Sequence, residues 1–295
     1  MRSLRLMSLV PAAALLLSLT ACGGDDDNND TAKPVDNPTF AAGSRMAELA
    51  SAGKLTVGTK FDQPLFGLKG LSGKPEGFDV EIAKIIAAKL GISADKITFV
   101  ESVSANREPF LQQKKVDMVV ATYTINDKRD KIVDFAGPYF LAGQDILVAK
   151  GNPKNISGPE TLKGKKTCSV SGSTPAATVQ EKYGLSTSEL VLVDAYSKCR
   201  DALSNGQVDA VTTDNVILSG YVDQAPDKFE LIGKPFSSEP YGIGIPEGQE
   251  PFCDFINQTL KDAVADGSYE KAFKATAGKV IQTTPTLPEP RGCDK

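Results

Sequence analysis

Two stretches decide the fold: Val116-Asp117-Met118-Val119-Val120-Ala121-Thr122 and Val208-Asp209-Ala210-Val211-Thr212-Thr213-Asp214. They align at a constant offset of 92 residues, and each follows a helical pattern with a polar C-terminal turn. A short apolar run bounded by turn residues reads as a buried strand, so the repeat predicts two similar α/β units. Outward from the first copy, 55–58 and 97–101 are further strands, and 44–52 and 106–114 are helices. Between them Val80, Ile82, Ala83, Ile85, Ile86 and Leu90 recur at helical spacing behind Asp79, a good N-cap, with Gly91 as the stop. Around the second copy, strands at 166–171, 190–194 and 229–232 alternate with helices at 175–183, 196–205 and 215–222. Extended stretches at 140–150 and 241–245 link the units, helices at 252–265 and 269–276 follow, and 283–290 is irregular. This alternation predicts the α/β class with largely parallel sheets. Ligands of such sheets sit beyond the carboxyl ends of the strands, which puts Thr122 and Asp214 at equivalent strand ends, one from each unit.

The 295 residues contain no histidine, no tryptophan and five cysteines. Without histidine there is no Ser-His-Asp or Cys-His mechanism and no imidazole ligand for zinc. Thirty-three basic and 37 acidic side chains give a net charge of −4, which offers no electrostatic footprint for nucleic acid. At the N-terminus Arg2 and Arg5 precede an apolar stretch from Leu6 to Leu19, broken by Pro11, that reads as a secretory signal rather than a membrane span. It closes on Leu19-Thr20-Ala21-Cys22, which resembles the lipobox of bacterial lipoproteins and implies a signal peptide over 1–21 with lipid attached to Cys22. The remaining chain carries 31 basic and 37 acidic side chains, a net charge of −6. Residues 22–44, which include Gly24-Asp25-Asp26-Asp27-Asn28-Asn29-Asp30, read as a solvated flexible tether. The Asp-rich run lacks the fixed turn of a calcium loop. Cys168, Cys199, Cys253 and Cys293 are then an even number in an oxidising compartment, the arithmetic of two disulfides with three possible connectivities. No pair has C-x2-4-C spacing, so no metal site is predicted.

The run Thr122-Tyr123-Thr124-Ile125-Asn126-Asp127-Lys128-Arg129-Asp130-Lys131-Ile132-Val133-Asp134-Phe135-Ala136-Gly137-Pro138-Tyr139, with Gly77-Phe78-Asp79-Val80-Glu81-Ile82-Ala83, resembles the extracytoplasmic amino-acid-binding proteins of ABC importers, solute-binding protein family 3. The resemblance covers roughly 46–278 and is strongest to the acidic-amino-acid group, in particular the actinobacterial-type glutamate-binding lipoproteins. It implies a two-lobed periplasmic-binding-protein type II fold, with two hinge strands and the ligand cleft between the lobes. Lobe 1 would be 45–138 plus 243–295, lobe 2 144–237, and the hinge 139–143 and 238–242. These limits place Cys168 with Cys199 and favour that pair, with Cys253 and Cys293 as the other. No cofactor is implied.

An amino acid presents a carboxylate, an ammonium and a side chain, each needing a partner of opposite character once the cleft shuts. Arg129 matches the family arginine that grips the α-carboxylate, a task for its planar fork. Thr124 would offer its hydroxyl to the same ligand and Thr122 its carbonyl to the ammonium. Asp214 matches the carboxylate that holds the ammonium from the opposite lobe, a role compatible with capping the next helix. In Ser171-Gly172-Ser173-Thr174-Pro175, Ser173 and Thr174 match a ligand loop at a helix N-terminus, with an ordinary N-cap as the competing explanation. In Ser104-Ala105-Asn106-Arg107, Arg107 falls where acidic-amino-acid binders meet the side-chain carboxylate, and Lys60 where a second cation does so. Glutamine would leave such a cation without its counter-charge, a loss on the order of 3 kcal/mol. Aspartate differs from glutamate by one methylene, worth about 1–3 kcal/mol.

The expectation is a monomeric receptor on the outer face of the cytoplasmic membrane, lipid-anchored through Cys22, that captures L-glutamate or aspartate and delivers it to an ABC permease. A rival reading has the same receptor presenting an amino acid to a membrane signalling partner. An enzyme on this fold would need an acid–base pair, and the cleft residues supply one carboxylate, Asp214. The lack of histidine predicts binding that varies little between pH 6 and 8.

Overall fold

The computed structural model describes residues 32–293. The chain first forms α1 (Arg45–Ala52), β1 (Leu55–Thr59), the short β2 (Asp62–Gln63), β3 (Gly67–Lys69) and β4 (Pro75–Glu76), then α2 (Phe78–Lys89), β5 (Ile97–Glu101), α3 (Arg107–Gln112), β6 (Met118–Thr124), α4 (Asp127–Asp130) and β7 (Asp134–Ala142). A second series runs β8 (Gln144–Ala149), β9 (Thr167–Val170), α5 (Thr174–Glu181), β10 (Leu190–Val193), α6 (Tyr196–Ser204), β11 (Ala210–Asp214), α7 (Asn215–Gln224) and β12 (Phe229–Leu231). The chain then returns through β13 (Glu239–Ile245), α8 (Glu250–Ala265) and α9 (Ser268–Ala275).

The strands make two five-stranded sheets, β5-β1-β6-β13-β7 and β10-β9-β11-β8-β12, and a small sheet β2-β3-β4. The two copies of the sequence repeat, β6 and β11, occupy the same central place, and both are buried throughout. Each has a parallel neighbour, β1 or β9, and an antiparallel one, β13 or β8. The sheets are therefore mixed rather than largely parallel. The reason is topological: β8 and β13 arrive directly from the other sheet, entering at the end where the parallel strands finish, and so run against them. Around the crossings β7 and β13 are paired, Glu239 with Ala142, Pro240 with Leu141 and Tyr241 with Phe140.

Aromatic side chains join α2 to α9, and the β2–β3 turn to β7 and β13. Phe78 of α2 stands edge-on to Tyr269 and Phe273 of α9, with ring centroids 5.4 and 5.6 Å apart. Phe66 does the same to Phe140 and Tyr241 at 5.4 and 5.9 Å. Such pairs add about 0.5–1.5 kcal/mol each beyond the area they bury.

Two expectations change. First, α2 starts at Phe78, not behind an Asp79 cap: Gly77 holds the N-cap position at φ 132°, where a Cβ would lie 2.2 Å from Phe66 O. Only glycine fits there, and Asp79 falls within the first turn. Second, the described part of the expected tether, 32–44, lies against the first sheet's helices. Val35 N donates to Ala88 O at 2.8 Å, and Phe40 packs edge-on to Phe255 of α8 at 5.6 Å. The few apolar side chains of this segment suffice to dock it.

Disulfides join Cys168 of β9 to Cys199 of α6, and Cys253 of α8 to Cys293, across 31 and 40 residues. Closing loops of that size restricts the unfolded chain by roughly 3–4 kcal/mol each. No helix among the described residues is long and apolar enough to cross a membrane.

Candidate functional site

The carboxyl ends of β6 and β11 face each other across a small cavity. Ser104, Arg107, Thr122, Thr124, Ser173, Thr174 and Asp214 all line it, joined by Tyr196, Thr213 and Ile217. Lys60 and Arg129 stand immediately behind this lining: Lys60 Nζ donates to Ser104 Oγ at 2.9 Å, and Arg129 Nη1 to Thr124 O at 2.6 Å. The cavity measures about 10 Å³, room for one water molecule. The lobes stand shut, and an amino acid can enter only if they part.

On the side of the first sheet, Thr122 adopts φ 43°, a strained conformation for a β-branched residue. Asp79 holds it there, accepting from Thr122 N at 2.8 Å and from the Tyr139 hydroxyl. Burial pushes the Asp79 carboxyl up to about 7 against those two hydrogen bonds. The twist turns Thr122 O toward Arg107, whose Nη1 lies 3.1 Å from Ala121 O and 3.2 Å from Thr122 O. The carbonyl expected to meet an ammonium thus already accepts from a guanidinium. Arg107 and Arg129 both pack over Tyr123, at 4.3 and 5.0 Å from its ring centroid.

Arg129 pairs through Nε with Glu108 at 3.0 Å, and its Nη2 crosses to the second sheet's Gly172 O at 2.9 Å. One N–H is left on each terminal nitrogen, enough for a bidentate carboxylate. Burial, then the neighbouring Arg107, lowers Arg129 to about 10, so it stays charged at neutral pH.

On the opposite side, Ser173 is the N-cap of α5, its Oγ accepting from Ala176 N at 3.2 Å. Ser173 thus caps the helix and also lines the cavity. Asp214 occupies the N-cap position of α7 but makes no capping hydrogen bond. Its Oδ2 accepts from Tyr241 Oη at 2.6 Å, while Oδ1 is buried without any hydrogen bond. Burial, then Glu239, raises Asp214 to about 7. A carboxylate oxygen left in this way costs about 1–3 kcal/mol or more, and it lies on the cavity wall.

Residues 55–278 match the bacterial extracellular solute-binding proteins, family 3. The chain belongs to this family. Its members are solute-binding proteins, not enzymes, and the two-lobed architecture is the type II fold of periplasmic amino-acid-binding proteins. This solute-binding protein is 39% identical to the ABC transporter glutamine-binding protein GlnH of Bacillus subtilis, over 93% of this chain and 97% of that one. It is 35% identical to the glutamate-binding protein GluB of Corynebacterium efficiens, over 94% and 92%. Among solved structures, an ancestral arginine-binding protein bound to glutamine superimposes with a TM-score of 0.70 at 39% identity, covering 76% of this chain and 97% of that one.

The solute-binding protein has buried groups that sequence reasoning missed. Tyr196 reads in the sequence only as a helix residue. Glu239 sits at the start of an otherwise apolar crossing strand, 3% exposed; a lone acid in such a strand was the available signal. Asp79 reads in the sequence as a cap. The expectation of binding that varies little with pH rests on the lack of histidine, but burial brings other groups into the same range. It lowers Lys60, with help from Arg107, to about 7, and brings Asp79 and Asp214 to about 7 from below.

Proposed function

We propose that this protein captures L-glutamate outside the cell and delivers it to an ABC permease. The observation that carries the reading is Asp214, whose buried Oδ1 has no donor on the wall of a cavity also lined by Arg107. An α-ammonium supplies the missing donor, and the α-carboxylate takes the two remaining terminal N–H groups of Arg129. Relatives named for glutamine and for glutamate support either side chain. Two buried cations favour glutamate: Arg107 donates only to main-chain carbonyls and Lys60 to a hydroxyl, and neither forms an ion pair among the described residues. A side-chain carboxylate between them would relieve both. Ser104, Ser173 and Thr174 then shape the pocket rather than carry its charge.

The lobes are taken as 45–138 with 243–295 and 144–237, moving about 139–143 and 238–242. Anchoring is assigned to Cys22, which lies outside the described residues, and the receptor acts as a monomer. Titration calorimetry of the whole protein against the twenty amino acids tests the ligand: glutamate binds most tightly, whereas tight glutamine binding without glutamate binding rejects the side-chain assignment. Mass spectrometry of membrane-extracted protein should find a diacylated N-terminal Cys22, and an unmodified N-terminus rejects the anchor.

A further inference from the structure

Glu239 opens β13, on the second crossing between the sheets, and is buried. Its Oε2 accepts from Thr124 Oγ1 and from Thr174 Oγ1, each at 2.8 Å, and its Oε1 from Ser237 Oγ at 2.7 Å. Thr124 belongs to β6 in the first sheet, while Thr174 opens α5 against the second. The two hydroxyls are 3.3 Å apart. One carboxylate oxygen therefore ties a donor from each lobe, a geometry that exists only when the lobes are together.

A hydroxyl has one proton. With both protons directed at Glu239, Thr124 and Thr174 present only lone pairs to anything else in the cavity, so neither donates to a ligand carboxylate. We propose that Glu239 is a closure clasp, a positioning residue that holds the two lobes shut and turns both threonine hydroxyls into acceptors. This rests on the amino-acid-binding reading of the same cleft for its effect on affinity, but not for its effect on closure. Because an amino acid can enter or leave only when the lobes part, the clasp slows both encounter and escape.

The test compares wild type, Glu239→Gln, Thr174→Val and the double variant. Stopped-flow mixing with L-glutamate and with L-glutamine gives the rates, and solution X-ray scattering without ligand gives the degree of closure. Glu239→Gln keeps the shape but replaces one acceptor with a donor. Its dissociation rate should rise about tenfold, the scale of a lost hydrogen bond to a charged group, and its association should be faster than that of wild type. The ligand-free radius of gyration should increase. The double variant should be no worse than the poorer single one, since both break the same link. An unchanged dissociation rate with unchanged scattering, or additive effects in the double variant, overturns the clasp. If wild type binds neither amino acid, the ligand reading fails while the scattering comparison still decides the clasp. If Glu239→Gln does not fold, Thr174→Val alone must open the ligand-free protein, and its failure to do so overturns the proposal.

Discussion

Burial brings the Asp214 carboxyl up and the Lys60 ammonium down, both to about 7. Each is wanted in its charged form by an amino acid with an anionic side chain. Asp214 must lose its proton to face an ammonium, so affinity falls below neutrality; Lys60 must keep its proton to face a carboxylate, so affinity falls above it. Glutamate affinity should therefore peak near pH 7 and be about threefold lower at pH 6 and at pH 8. Calorimetry in buffers of different ionisation enthalpy should show proton release on binding at pH 6 and uptake at pH 8, and a flat profile would reject both roles. Arg129→Ala should abolish binding of every amino acid, whereas Arg107→Ala should weaken acidic ligands by about a hundredfold and glutamine little. Equal losses would reject this division of labour. Arg129 and Asp214 were legible because each sits in a recognisable run at a strand end. Glu239 was not, since its partners Thr124 and Thr174 are 115 and 65 residues away and nothing in their spacing announces the meeting.

At the scale of elements, the start of α2 decides how β6 ends. Because Gly77 lets the helix begin two residues early, Asp79 points at the backbone of Thr122 instead of capping its own helix. Its folded pKa, about 7, lies above the ordinary aspartate value of 3.8. A group of this kind contributes most stability below its unfolded pKa and loses that contribution as pH rises through the folded one. Wild type should lose stability between about pH 4 and 7, with Asp214 adding to the trend, while above pH 7 the lowered Lys60 acts in the opposite direction. Asp79→Asn cannot ionise and accepts from only one of the two donors. It should lower stability by about 1–3 kcal/mol at pH 5 and show a shallower pH dependence in thermal melts; an unaltered slope would remove Asp79 from the account. Periodicity made helices and strands such as α2, β6 and β11 readable. It could not give the direction of β8 and β13, because a strand's own residues do not record the side from which it enters a sheet.

For the whole molecule, closure depends on backbone meeting backbone. A Cβ at Gly172 would lie 2.8 Å from Ala105 Cα, and one at Gly220 3.0 Å from Pro64 O, each contact joining the second lobe to the first. Gly220 lies inside α7, where alanine favours the helix by about 0.5–1 kcal/mol. Gly220→Ala should thus keep or raise thermal stability while lowering affinity about tenfold and enlarging the liganded protein in solution scattering. Full affinity in this variant would show that the lobes need not meet there. The sheet order carries one more consequence. β13 lies between β6 and β7, yet the whole of 143–238 comes before it in the chain. The second sheet needs only strands from one continuous stretch, whereas the first keeps β6 and β7 apart with open edges until the last crossing has been made. The inserted lobe can then complete its sheet before the enclosing one, and until β13 docks β6 offers an open edge to another copy of the chain.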